Sequence, residues 1–196
     1  MTEIEREMKH SRLTDTFSKL IAESEETFRE GIKDTPERAA KAWQHYLGGY
    51  DVDATSILKS FEDGKEGYDE IILVKDIPFY SLCEHHLAPF FGRATIGYIP
   101  KDRIVGLSKI NRLVDIYARR LQVQERLTVQ IANTLWQGLE PIGVGVLIRA
   151  RHMCMESRGV RQQGHTTTTQ CLLGVMRNEH DARAEFISLA KSDVPL

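Results

Sequence analysis

Two short stretches hold the densest group of side chains able to bind a metal ion: Cys83-Glu84-His85-His86 and His152-Met153-Cys154. They contain two of the three cysteines and three of the seven histidines in a chain of 196 residues. A Cys-x-x-His spacing lets one turn present a thiolate and an imidazole to a single ion. His152 and Cys154, two apart on a strand, would share a face. Sulfur and nitrogen donors of this kind favour zinc. Taken singly, each Cys reads better as a small buried hydrophobe and each His as a satisfied core or surface residue; their pairing is what points to a metal. Four ligands, Cys83, His86, His152 and Cys154, would close a tetrahedron and give the ion only a folding role. Three would leave a water whose pKa falls to about 7. Spacing leaves both open, but adjacent His85 and His86 point differently from one turn, so one stays free to move protons, which favours catalysis.

A second chemistry is anion binding. Gly106-Leu107-Ser108-Lys109-Ile110-Asn111-Arg112 opens a helix, where free N–H groups and the dipole attract phosphate, and Ser108, Lys109 and Arg112 lie near that end. Residues 101–126 carry seven basic side chains against three acidic, and residues 149–161 carry Arg149, Arg151, Arg158 and Arg161 against Glu156. The chain as a whole has a net charge of −2, so this local excess suits a polyanionic small molecule, while a solvated basic face facing the acidic N-terminal region is the plainer alternative. Gln124-Glu125 begins the next helix. A carboxylate and an amide together complement the N1–H and 2-amino edge of guanine, although Gln-Glu is also ordinary first-turn composition. Cys171, in strand alternation with Leu173 and Val175, and His165 read as structural.

These groups need elements to hold them. Asp34-Thr35-Pro36-Glu37 predicts a helix start with Thr35 as N-cap, followed by an apolar stripe from Ala39 to Leu47 that Gly48-Gly49 stops. An earlier helix is expected over about Arg12 to Phe28, and residues 63–67 read as a loop. Residues 1–67 therefore form an N-terminal helical region. From Tyr68 the period shortens. A strand runs from about Ile71 to Leu82, with Pro78 implying an edge or a bulge there, and a second covers Arg93 to Ile99. Helices over about Ser108–Arg120 and Gln124–Leu139, strands over Val144–Cys154 and Thr166–Met176, and a final helix over Asp181–Lys191 complete residues 68–196. The order predicts an α+β fold: a four-stranded antiparallel sheet with two helices between its second and third strands, and helices on one face.

Composition narrows the class. With 41% hydrophobic and 28% charged residues the chain can bury a core, and no apolar run approaches the length of a membrane span. Three cysteines suit metal or catalytic use in a reducing compartment, so a cytoplasmic protein is expected. The near-neutral charge gives no general reason to coat nucleic acid.

Taken together, Ser81 to Phe90, Gly106 to Arg112, Gln124-Glu125-Arg126-Leu127-Thr128 and His152-Met153-Cys154-Met155 with Arg158-Gly159-Val160 resemble the GTP cyclohydrolase I family over about Glu30 to Ser188. The resemblance implies that Cys83, His86 and Cys154 hold one zinc ion per subunit, with water at the fourth position. It makes His152 an acid/base and His85 a second proton-handling group. Lys109, Arg112 and Arg158 become triphosphate contacts, Ser108 a group near the ribose and phosphates, and Gln124 with Glu125 the guanine readers. It further implies the tunnelling fold (T-fold), a homodecamer of two stacked pentamers with sites at subunit interfaces, and conversion of GTP to 7,8-dihydroneopterin triphosphate and formate at the start of pterin biosynthesis, folate or related. Two stretches deviate: the segment before the first helix cap is short, and Gln162-Gln163-Gly164-His165 precedes a threonine run where the family often has a small polar residue. A zinc-stabilised oligomeric GTP-binding protein without turnover is the principal competitor. A zinc deaminase would need a His-x-Glu and a Cys-x-x-Cys that are missing here.

Overall fold

The structure, a computed structural model, describes residues 2–27, 29–64 and 66–192. Helix α1 spans Glu3–Ala22 and α2 spans Thr35–Tyr46. α1 starts well before the expected Arg12 because Thr2 and Glu5 form a reciprocal capping box, each side chain accepting the other's backbone N–H. It ends at Ala22, and Phe28 lies outside the described residues. At α2 the N-cap is Asp34, not Thr35. The Asp34 carboxylate accepts from Arg38 one turn on and caps no backbone N–H, while Pro36 holds the first turn as expected. α1 has no buried residue; it rests on α2 through the edge-to-face Phe17–Trp43 pair, with ring centroids 6.0 Å apart.

Strand β1 (Ser60–Phe61) and, further on, β4 (Ile104–Val105) form a small antiparallel pair. β2 (Ile72–Cys83) and β3 (Pro89–Ile99) make the first long hairpin; α3 (Leu107–Ala118), the two-residue β5 (Leu121–Gln122) and α4 (Gln124–Leu139) follow. β6 (Gly143–His152), the short α5 (Met153–Glu156), β7 (Thr167–Gly174), α6 (Val175–Asn178) and α7 (His180–Lys191) end the chain. The sheet order is β5-β2-β3-β6-β7, the four long strands antiparallel and β5 parallel to the end of β2. The sheet thus has a short fifth strand that was not expected, and β1 lies within the otherwise helical residues 1–67. The irregularity in β2 sits between Val74 and Ile77, where Asp76 takes φ +54; Pro78 itself stays in register opposite Arg93.

One face of the sheet packs on α3 and α4, with Phe90, Ile96, Ile110, Leu113, Leu127, Ile131, Leu135 and Ile148 fully buried. The opposite face is not bare, as the one-sided arrangement predicts. Phe186 of α7 is fully buried against it, seated over the cross-strand glycines Gly97 and Gly145, whose Cβ atoms would stand 2.8–3.0 Å from its ring. The N-terminal region is tied to the end of α3: the Gly49 N–H donates to the Arg119 carbonyl, and Arg120 donates to the carbonyls of Gly49 and Val52.

Candidate metal centre and active site

The turn joining β2 to β3 is built around Cys83. Its N–H donates to the Ala88 carbonyl at 2.9 Å, and its carbonyl accepts from His86 and Leu87 at 3.3 and 2.8 Å. Closing the turn places Leu87 at φ +54, a left-handed conformation that a branched residue rarely adopts. Glu84 anchors the outside of the turn: its N–H donates to the Gln122 carbonyl on β5 and its carboxylate pairs with Arg126 on α4. Cys83 is buried whereas His85 and His86 are exposed.

The second stretch does not stay in the strand. β6 ends at His152, and Cys154 sits in α5, so the shared face expected of His152 and Cys154 is not formed. The helical turn instead carries Cys154 back beneath the hairpin. The donor atoms of Cys83, His86 and Cys154 lie within 4.8 Å of one another, with Cys83 Sγ 3.8 Å from His86 Nδ1. His152 is not in this group. Its ring lies flat on that of Phe90, its cross-strand partner, at 4.8 Å between centroids, and its Nε2 meets Gln124 Oε1 at 2.8 Å. Of the two ligand sets the spacing left open, the geometry assembles the three-donor one. Arg151 and the buried Glu156 clamp α5 in place with two parallel hydrogen bonds, the Nε–Oε1 one at 2.9 Å.

The donor set fits a metal cation. Burial, reinforced by the neighbouring Cys83 thiol, holds the Cys154 thiol above its usual pKa, and the charge of Arg158 opposes that rise. Burial thus disfavours the Cys154 thiolate, and a divalent ion beside it is what makes a thiolate favourable. Two sulfurs and one imidazole with a position to spare suit a borderline-soft ion. His152 is shifted the other way: burial lowers its pKa, partly offset by the nearby Glu125 carboxylate, while His165, read from sequence as structural, also lies close enough to push it down.

The remaining candidates are placed as follows. Glu125 is exposed on the first turn of α4, beside the buried Gln124. Ser108, Lys109 and Arg112 sit on the first turns of α3, whose start at Gly106 has no side-chain cap; the Lys109 N–H donates back to the Gly106 carbonyl at 2.8 Å, so the N–H groups of Leu107 and Ser108 are the ones open to an anion. Among the described residues the side chains of Ser108, Lys109 and Arg112 make no hydrogen bond or ion pair, and neither does Arg158. Among the described residues no hydrogen bond or ion pair joins the α3 cations to the Cys-His-Cys group. Gln124 is engaged within the chain: its side-chain NH2 group donates to the Ile148 and Thr167 carbonyls and to Thr169 Oγ1, and its oxygen faces His152.

A five-stranded sheet with two helices between its second and third long strands, carrying two thiols and an imidazole at the foot of its first hairpin, defines a tunnelling fold with a candidate metal centre. A family model described as GTP cyclohydrolase I matches residues 13–191, and the chain belongs to that family. It is 57% identical over 179 residues to the GTP cyclohydrolase 1 of Janthinobacterium sp. (strain Marseille), covering 91% of this chain and 90% of that one. It is 47% identical over 189 residues to that of Saccharomyces cerevisiae, covering 96% and 77%. Among solved structures it is similar to the archaeosine synthase QueF-Like in the apo form, with a TM-score of 0.43 and 18% identity over 53% of this chain and 93% of that one.

Proposed function

We propose that this chain hydrolyses and rearranges GTP to 7,8-dihydroneopterin 3'-triphosphate and formate, the entry step of pterin biosynthesis, folate or related. The observation that carries the reading is the convergence of Cys83, His86 and Cys154, with His152 held beside them yet outside the donor set. These three residues would hold one zinc ion per subunit. Bound there, the ion would act as a Lewis acid and lower the pKa of water to about 7.

The chain's own groups supply the rest. The uncapped start of α3 with Ser108, Lys109 and Arg112, together with Arg158, binds the triphosphate and fixes the purine relative to the metal centre. The Glu125 carboxylate accepts from the N1–H and 2-amino groups of guanine. Water adds at C8 twice and both C8–N bonds break in turn, so C8 leaves as formate; His152 delivers a proton to an imidazole-ring nitrogen as the ring opens. The lowered pKa of His152 keeps its ring largely neutral at pH 7, able to take up and hand on a proton. His85, exposed on the turn, and Ser108 serve the proton transfers of ribose opening and reclosure.

Residues 68–196 act as the catalytic unit, with residues 1–67 packed on it. The outer edge of β2 before Leu82 and that of β7 are unpaired among the described residues. Beside the β2 edge lies a cleft of about 620 Å³ lined by Trp43, Tyr46, Phe79, Leu82 and Phe91. Free edges of this kind favour closure by further copies, in line with a decamer of two pentamers with each site completed at a subunit interface. Free thiols suit the cytoplasm, and no helix of the described residues is long and apolar enough to cross a membrane.

The test is formate release from GTP, with a pterin fluorescent after oxidation, by zinc-loaded protein. Both products should disappear on chelation and return with zinc. Binding of GTP with neither product would establish the non-catalytic GTP-binding reading instead.

A further inference from the structure

Gln124 is the first residue of α4, 1% exposed, and its side chain bridges α4, the end of β6 and β7. Which end of its amide points where follows from its neighbours. The Ile148 and Thr167 carbonyls, at 3.1 and 3.0 Å, can only accept, so the atom between them is the NH2 group. The threonines agree. Thr128 donates its hydroxyl to the Gln124 backbone carbonyl at 2.7 Å, so in the 2.7 Å contact between the two hydroxyls Thr169 donates to Thr128. Thr169 Oγ1 is thereby left as a third acceptor for Gln124 Nε2, at 3.1 Å. With the amide fixed, Oε1 faces His152 Nε2 at 2.8 Å, and an oxygen that only accepts requires a hydrogen on that nitrogen. Turning the ring over within its stack on Phe90 would set a carbon against Oε1.

We infer that Gln124 is a positioning residue for His152: it locks the imidazole in the Nε2–H tautomer, leaves Nδ1 as the nitrogen that exchanges protons with substrate, and contributes nothing through its side chain to guanine selection. The inference rests on the proposed role of His152 as acid/base and gives a role to the threonine run of β7, in which Thr167 and Thr169 hold the amide. Glu125 alone then selects the guanine edge by its side chain.

Two measurements on the zinc-loaded protein test it. Long-range proton–nitrogen correlation on 15N-histidine-labelled protein should show His152 with hydrogen on Nε2 and a bare Nδ1; the opposite tautomer overturns the inference whether or not the protein turns over GTP. In Gln124→Met the kcat for formate release should fall about 10- to 100-fold, less than the roughly 10²- to 10⁴-fold expected when an acid/base is removed. KM for GTP should stay within about twofold, as should the preference for GTP over inosine triphosphate as a competing ligand, and the variant should add nothing to the loss in His152→Ala. Should Gln124→Met not fold, Thr169→Val, which removes one acceptor from the amide, should lower kcat a few-fold with the same ligand preference. A higher KM and a lost preference for the 2-amino group, with kcat kept, would make Gln124 a guanine reader and overturn the positioning role. Absence of formate from the wild type would instead overturn the proposed reaction while leaving the tautomer result standing.

Discussion

The two segments that bring metal-binding side chains together are held in different ways. Residues 152–156 are locked from several directions: His152 by the Phe90 stack and Gln124, Glu156 by the Arg151 clamp, Cys154 by burial. The turn 83–88 is secured mainly by its own backbone hydrogen bonds, the strained Leu87 and an outer Glu84–Arg126 pair, with both histidines open to solvent. One half of the centre is therefore set by the core and the other by a local turn. A cation joining them ties the locally held half to the core-held one, which couples metal binding to the order of the hairpin.

Substitutions can break this contrast, beginning with the donors. Cys83→Ala, His86→Ala and Cys154→Ala should each weaken zinc binding by about 100-fold or more, since each removes a share of the ~10–16 kcal/mol that a protein zinc site supplies. Formate release should vanish with it, and metal analysis after dialysis checks this. His152→Ala should keep its zinc while kcat falls roughly 10²- to 10⁴-fold; zinc loss equal to that of Cys154→Ala would restore the four-ligand reading. Glu156→Gln, which undoes the clamp on α5, should cost about 10-fold in zinc affinity, measured by competition with a chromophoric chelator, with the fold kept. The matching change on the open half, Arg126→Ala, removes a partly exposed ion pair and should shift stability by no more than about 1 kcal/mol in a denaturant titration. If Arg126→Ala disturbed zinc binding more than Glu156→Gln, the ranking of the two halves would be reversed.

Long periodic elements were readable in the sequence. Helix α4 occupies the expected Gln124–Leu139, and the strand–strand–helix–helix–strand–strand order holds. What escaped depends on partners distant in sequence. β1, β4 and β5 are two residues each, too short for any period, and exist because of what they pair with. Pro78 predicts an edge or a bulge: it lies on the β2 edge that is unpaired before Leu82, while the bulge itself falls at Asp76, which takes the left-handed position. The start of α1 did have a local signal, Thr2-x-x-Glu5, masked by the charge around it. In the site, residue types were legible and directions were not. Gln124 next to Glu125 suggests a shared ligand, but successive positions on a helix face about 100° apart, so one enters the core and the other meets solvent. Cys154 was read on a strand because nothing near it breaks β periodicity; the chain turns there to satisfy Glu156 and Arg151.

Gly49 sets a limit on how this molecule can change. A side chain at that position would drive its first carbon to 2.0 Å from the Ile116 carbonyl oxygen, at the seam where the N-terminal helices meet the body. Any other amino acid must therefore pry the two apart, so one carbon atom, far from the thiols in sequence, could shift the whole arm while every reacting group remains intact.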